Sequence, residues 1–290
     1  MSIGKNIQKS KRLFFNFFLY HFQNLFPFTK SMILNYKKNK EFKKTLNKKK
    51  IIIQNKNNLD TINQFEFSIT SQNNEDGLIE HIFSKIKNNQ VFFEIGAEFN
   101  QSNSINLIKK GWKGTLVDSD LEKCTDMKNF LKKYFTSNKI KVLNRFIDKK
   151  NLNLIIKDNN IDFFSIDIDG NDYWVLKNLN TKNIKVICAE YNPFFKTKSV
   201  TIPYNLNFRY NYNFYYGASL IAIYKILKKK DFELIAIDSS GTNAFFIKKK
   251  FKNNFQSLNP YKSFKKSSYF NKKKFDQISK KILNKKLIKV

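Results

Sequence analysis

The segment from Val91 to Asp120 (VFFEIGAEFNQSNSINLIKKGWKGTLVDSD) constrains the fold of this chain more than any other. An apolar strand ends in Glu94-Ile95-Gly96, a polar turn and a short helix follow, and a second strand ends in Asp118. A strand whose carboxyl end turns through glycine into a helix, with an acid about 20 residues on, is how an open α/β sheet holds the adenosine part of a ligand.

The same alternation extends to both sides of this segment. Leu78, Ile79, Ile82, Phe83 and Ile86 recur at helical spacing and lead into the strand Val91 to Ile95. Gly111 suits a left-handed cap that ends the helix carrying Ile105, Leu107 and Ile108. Further strands are expected at 115–117, 140–146, 162–167 and 186–190, separated by helices around Cys124 to Tyr134, Leu152 to Ile156 and Tyr173 to Leu179. Such alternation builds a parallel sheet. The pattern then changes to an aromatic loop from Tyr191 to Tyr216 and a helix beginning at Gly217. Two strands follow, Phe232 to Ile237 and Ala244 to Ile247, joined through Ser239-Ser240-Gly241-Thr242 as a hairpin. The reading gives a basic N-terminal extension over 1–73, in which 35–62 is a connector of low complexity, a folded domain over 74–250, and a Lys-rich tail over 251–290, loose apart from one short helix.

Lys+Arg of 54 against Asp+Glu of 23 gives a net charge of +31, which attracts nucleic acid, anionic lipid or polyanionic saccharide. Lys, Asn, Ile and Phe also share A/T-rich codons, so base composition accounts for the excess equally well. Two cysteines without a CxxC spacing or neighbouring histidines argue against structural zinc and a disulfide framework. His21 and His81 lie outside every motif, which leaves a carboxylate, Tyr or Lys to serve as any catalytic base. The aromatic stretch Leu13 to Phe28 is too interrupted by polar residues to span a bilayer. Residues 9–28 read instead as an amphipathic helix for peripheral membrane contact, or for packing on the domain or a second subunit. No small-residue cleavage site follows the apolar run, so a cytoplasmic protein is expected, peripheral at the inner face of the membrane if that helix binds lipid.

The segments FFEIGA (92–97), GWKGTLVDSD (111–120), DFFSIDIDGNDYWVLKNL (162–179), VICAEYNP (186–193), YYGASL (215–220) and SSGTNAFFI (239–247) resemble those of S-adenosylmethionine-dependent methyltransferases, and more narrowly the FkbM-like group. The resemblance covers roughly residues 75–250. It implies an α/β, Rossmann-like class I methyltransferase fold: a mostly parallel seven-stranded sheet with a C-terminal antiparallel hairpin. It also implies S-adenosylmethionine as cofactor and an oxygen of a saccharide or small metabolite as acceptor. Glu94 and Gly96 would face the cofactor's amino-acid end, Asp118 would accept hydrogen bonds from its ribose, and Asp167 would orient cofactor or substrate. The chain departs from the family where Ala97, Glu98, Phe99 and Asn100 replace the later glycines. That leaves binding through Glu94 and backbone amides, or an inactive fold kept as a basic binding module.

Asp167, Asp169 and Asp172 crowd around Gly170-Asn171, and carboxylates this close repel one another unless a cation, a donor or a substrate proton intervenes. Asp167, Asp169 and Glu190, with Asn192, could form an all-oxygen magnesium site. Without metal, Asp169 or Glu190 is the expected general base, with Tyr191 behind them, and Asp172 caps the next helix. Two rival motifs remain. Asn192-Pro193-Phe194-Phe195 is similar to the tetrad of amino-methylating RNA and DNA enzymes, and Asp167-Ile168-Asp169 matches the metal-binding pair of glycosyltransferases and the nucleophile motif of haloacid-dehalogenase-like phosphatases.

Overall fold

The computed structural model describes residues 36–44, 51–52, 62–135, 139–156 and 160–290. The chain divides into two units, Met1–Asn47 and Lys48–Val290. In the first, residues 36–44 form a helix within the stretch expected to be a connector. The proposed interfacial helix over 9–28 lies outside the described residues. Among those described, no helix is long and apolar enough to cross a membrane.

The second unit is built on seven strands: β1 (Val91–Ile95), β2 (Lys113–Asp118), β3 (Ile140–Asn144), β4 (Ile161–Ile166), β5 (Ile184–Glu190), β6 (Phe232–Ile237) and β7 (Asn243–Lys248). They lie in the order β3-β2-β1-β4-β5-β7-β6. The first five are parallel, and β7 runs antiparallel to both β5 and β6. This is the sheet and closing hairpin expected of a class I methyltransferase fold. β4 is buried at all six positions, Asp162 included, whose carboxylate accepts from Asn89 N and Val91 N and pairs with Lys185.

Helices α1 (Glu75–Lys85), α2 (Ile105–Lys109), α3 (Leu121–Tyr134), α4 (Leu152–Ile156), α5 (Asp172–Asn178), α6 (Leu220–Lys228) and α7 (Lys272–Leu283) complete the unit. Phe93, Ile95, Phe164 and Ile166 share one core with residues of α4, α5 and α6. On the opposite face Phe83 of α1 meets Phe163 edge-on at 6.1 Å. Because side chains alternate along a strand, both faces of the sheet are covered. α6 starts at Leu220, with Ser219 Oγ accepting from Ala222 N, three residues after the expected start.

Both expected borders shift outward. Before residue 74, Asn63, Glu66, Thr70 and Ser71 are buried, and Asn63 Nδ2 donates to Ile237 O at 2.7 Å. These residues enter the core through hydrogen bonds rather than apolar spacing, so hydrophobic periodicity gives no sign of them. The expected loose tail is packed as well. Phe275, Ile278 and Ile282 of α7 join a core with Phe194, Phe195, Val200 and Ile202, and Ile288–Lys289 pairs antiparallel with Val200–Thr201. The lysines of this segment cover its outer side while one stripe of α7 is buried.

Candidate functional site

Sheet register brings the site together. Ile95 pairs with Val117 on one side and with Ile166 on the other, and Ile166 pairs with Ala189. The next residue on each strand is therefore Gly96, Asp118, Asp167 and Glu190, and Glu190 in turn pairs with Asn243. These five leave the carboxyl edge of the parallel strands in one row, where ligands bind in sheets of this kind. All five line a single cleft of about 810 Å³, together with Glu94 and Asp169. Glu94, Gly96, Asp118, Asp167, Asp169 and Glu190 are thus brought to one cavity.

Their bonding separates the roles. Glu94 is buried, and its carboxylate accepts from Ser102 Oγ (2.6 Å), Asn103 N (2.9 Å) and Ser104 N (3.1 Å). It therefore anchors the glycine-poor turn in which Phe99 packs against Phe130 of α3. Burial raises its pKa. Gly96 has φ +82°, and a Cβ there would lie 1.6 Å from the Asp167 carbonyl oxygen. Glycine is needed at this position because the ends of β1 and β4 touch, backbone on backbone. Asp118 receives Asp120 N at 2.7 Å, while Asp120, not Asp118, caps α3 by accepting from Glu122 N and Lys123 N. Burial raises the pKa of Asp118 against the opposing charge of Lys123.

The acid cluster follows. Asp172 does not cap α5: its two oxygens accept from Ile168 N and Gly170 N, both at 2.9 Å, and so fold the loop that presents Asp167 and Asp169. Asp169 holds φ 51°, a left-handed conformation that Asp tolerates better than most residues. One carboxylate oxygen from each of Asp167, Asp169 and Glu190 falls within a 4.8 Å set. Burial, reinforced by the charges of Asp169 and Asp172, pushes Asp167 up to about 7. Asp169 is exposed at the cleft, where partial desolvation and the charge of Asp172 raise it to about 6. Glu190 is pushed well above the carboxylate range by burial and by the charge of Asp167, and its Oε1 accepts from Tyr216 Oη at 3.1 Å. The oxygens of Asp167 and Glu190 lie within 4.8 Å, and burial with their mutual charge favours the proton-bearing form of this pair over that of Asp169.

Three expectations fail on bonding. Asn192 is fully buried: its Nδ2 donates to Phe214 O and Tyr216 O, and its Oδ1 accepts from Phe194 N. It can neither ligate magnesium nor hold a target amine, and Phe194 and Phe195 are too buried to stack on a base. Tyr191 is also buried, with its hydroxyl donating to Lys265 O, which removes it as a base.

The aromatic segment forms the opposite wall. Asn171 Nδ2 donates to Asn205 O (2.8 Å) and Trp174 Nε1 to Ile202 O (3.0 Å), which pin it over the acid loop. Phe208 lies so close to Gly170 that a Cβ would come within 2.8 Å of its ring. Sequence reasoning did not find Arg145, Arg209, Glu75 or Tyr269, all of which line the cleft. Tyr269 comes from the supposed tail, and none of the four belongs to a periodic or motif signal.

No family model matches the chain, and no curated protein matches it. Among solved structures it is similar to an S-adenosylmethionine-dependent methyltransferase from Clostridium acetobutylicum, with 12% identity, 60% of this chain and 89% of that one covered, and a TM-score of 0.41. It is similar to the magnesium protoporphyrin IX methyltransferase ChlM of Synechocystis with bound S-adenosylhomocysteine (12%, 60% and 81%, 0.40). It is also similar to M. capricolum TrmK in complex with the same cofactor product (13%, 71% and 93%, 0.38). At that distance these likenesses add nothing to what the strand order shows.

Proposed function

We propose that this chain is an S-adenosylmethionine-dependent methyltransferase acting on an oxygen of a saccharide or small metabolite, and that it belongs to the FkbM-like group its motifs resemble. The observation that carries this reading is the cleft's charge. Eight carboxyl groups line it against three cations, Lys123, Arg145 and Arg209; with Glu75 and Glu190 proton-bearing, six acids still face the three cations, in a chain where basic residues outnumber acidic ones 54 to 23. An acidic floor under a basic protein suits a ligand that carries positive charge, as a sulfonium does. The volume of about 810 Å³ is within the range of about 300–1,000 Å³ of small-ligand pockets.

When bound, the cofactor supplies a methyl group on that sulfonium. Asp118 would hold the ribose hydroxyls. Glu94 keeps the turn at 102–104 in place, and Gly96 lets the β1 and β4 ends close on each other beneath it. Asp169, ionised at neutral pH, takes the acceptor's hydroxyl proton. Glu190, proton-bearing and fixed by Tyr216, positions Asp167 rather than acting as base. Gathering these groups at one strand edge supplies orientation, a large part of the acceleration such a transfer needs.

In a second reading Asp167, Asp169 and Glu190 would hold a divalent cation, since one oxygen of each lies within 4.8 Å of the others, and it would supply activation of the acceptor hydroxyl. Nucleic acid fits less well, because the acidic floor repels phosphates and the amine-binding tetrad is buried.

Calorimetric titration with S-adenosylhomocysteine tests the cofactor assignment. The native chain should bind it, and Asp118→Ala should bind at least tenfold more weakly with unchanged thermal stability. No binding by the native chain leaves only the inactive-fold and non-methyltransferase readings.

A further inference from the structure

Only three of the chain's 54 basic residues are arginine: Arg12, Arg145 and Arg209. Arg145 and Arg209 both line the cleft, which takes a single lysine, Lys123, from the rest. Where positive charge alone is wanted this chain uses lysine nearly everywhere. Arginine differs in presenting a rigid planar fork of donors that matches an oxyanion with two hydrogen bonds.

From these arginines we infer that the acceptor carries one anionic group, a phosphate or a carboxylate, which Arg145 and Arg209 hold at the cleft's mouth while its hydroxyl reaches the acid floor. This rests on the methyltransferase reading of the same cleft.

The two side chains are exposed, and both line the cleft. The Arg209 guanidinium lies 5.6 Å from the ring centroid of Phe146, the neighbour of Arg145 in the chain. Arg209 Nη1 donates to Phe208 O at 2.8 Å, which uses one of its five donors. The Arg145 side chain has no hydrogen-bond or ion-pair partner among the described residues, although its backbone N donates to Asp118 O at 2.9 Å. Neither arginine is committed to the cleft's own acids. The cation that acts on Asp118 and Asp169 is Lys123, which also pairs with Glu98 at 3.1 Å.

The charge layout then sets the acceptor's orientation. An anion on the floor would meet Asp167 and Asp169, so it is repelled there and attracted at the rim. The exposed ring of Tyr212, which lines the cleft and contacts Tyr210 at 5.2 Å, offers an apolar face for a sugar ring. One anionic group, not a chain of them, matches one arginine pair.

The test is calorimetric titration of the full chain, with and without S-adenosylhomocysteine, using glucose 6-phosphate, glucuronate and glucose as probes. At least one anionic sugar should bind tenfold or more tightly than glucose. Which of the two does so identifies the group as phosphate or carboxylate. Arg209→Lys keeps the charge and loses the fork; it should remove most of that preference while changing S-adenosylhomocysteine affinity less than twofold. Equal binding of glucose and both anions, no binding of either anion, or native-like preference in Arg209→Lys would each overturn the inference. Failure of S-adenosylhomocysteine to bind sinks the cofactor reading instead, and the anion titration still scores the arginines.

Discussion

Gly96→Ala should unfold the cleft, with a large fall in the urea midpoint and loss of S-adenosylhomocysteine binding. Two costs combine. A side chain in the left-handed region costs about 1–2 kcal/mol, and overpacking adds about 1–3 kcal/mol in typical cores. The contact at Gly96 is more severe than a typical core case, because the new Cβ would sit 1.6 Å from a backbone oxygen that cannot rotate away. Relief requires the ends of β1 and β4 to part, breaking the bond from Asp167 N to Ile95 O. Against a net stability of about 5–15 kcal/mol, that is a large fraction. Gly111→Ala is the matched control. Gly111 has φ +86° with nothing within 4 Å of its would-be Cβ, so it carries the conformational cost alone. Equal urea midpoints for the two variants would show that the β1–β4 contact is not what demands glycine.

Asp169→Asn should lower kcat by about 10²–10⁴-fold, the range for losing a positioned general base. Asn accepts the left-handed backbone as Asp does, so the loop is kept while the proton acceptor is lost. In the native enzyme the base works ionised. Activity should therefore fall as pH drops through about 6, where Asp169 titrates. EDTA should leave the native rate unchanged; loss of activity restored by magnesium would transfer the role to a bridging cation.

Asp167 gives the opposite sign in stability. Its carboxyl is raised from the ordinary value of 3.8 to about 7 in the folded state. Between those values the native state binds more protons than the unfolded one, so this group's contribution weakens the fold as pH rises from about 4 to 7. Asp167→Asn removes that cost, and should gain stability over the native chain at pH 8 while losing activity.

How much of this was legible depended on which force marks a residue. The seven strands came through because apolar runs and glycine turns are local signals. Strand order and register, which pair Ile95 with Val117 and with Ile166, then bring Gly96, Asp118, Asp167 and Glu190 into one row, and these are tertiary facts. Glu94 and Asp172 were found as acids at the site, but their hydrogen-bond partners, the turn at 102–104 and the loop at 168–170, are tertiary facts. The 62–73 segment enters the core by hydrogen bonds, which leave no period in the sequence. α7 does carry helical spacing at Phe275, Ile278 and Ile282, hidden by the lysines that surround it. Arg145, Arg209 and Tyr269 converge only because loops from three distant parts of the chain meet at one rim.

Hydrogen-exchange mass spectrometry with saturating S-adenosylhomocysteine addresses the convergence of strand ends directly. Protection should rise together in 96–104, 118–123 and 167–172, the segments that leave β1, β2 and β4. Protection confined to other segments, or none at a ligand concentration that calorimetry shows to be saturating, would contradict a shared adenosyl site at the carboxyl edge of the sheet.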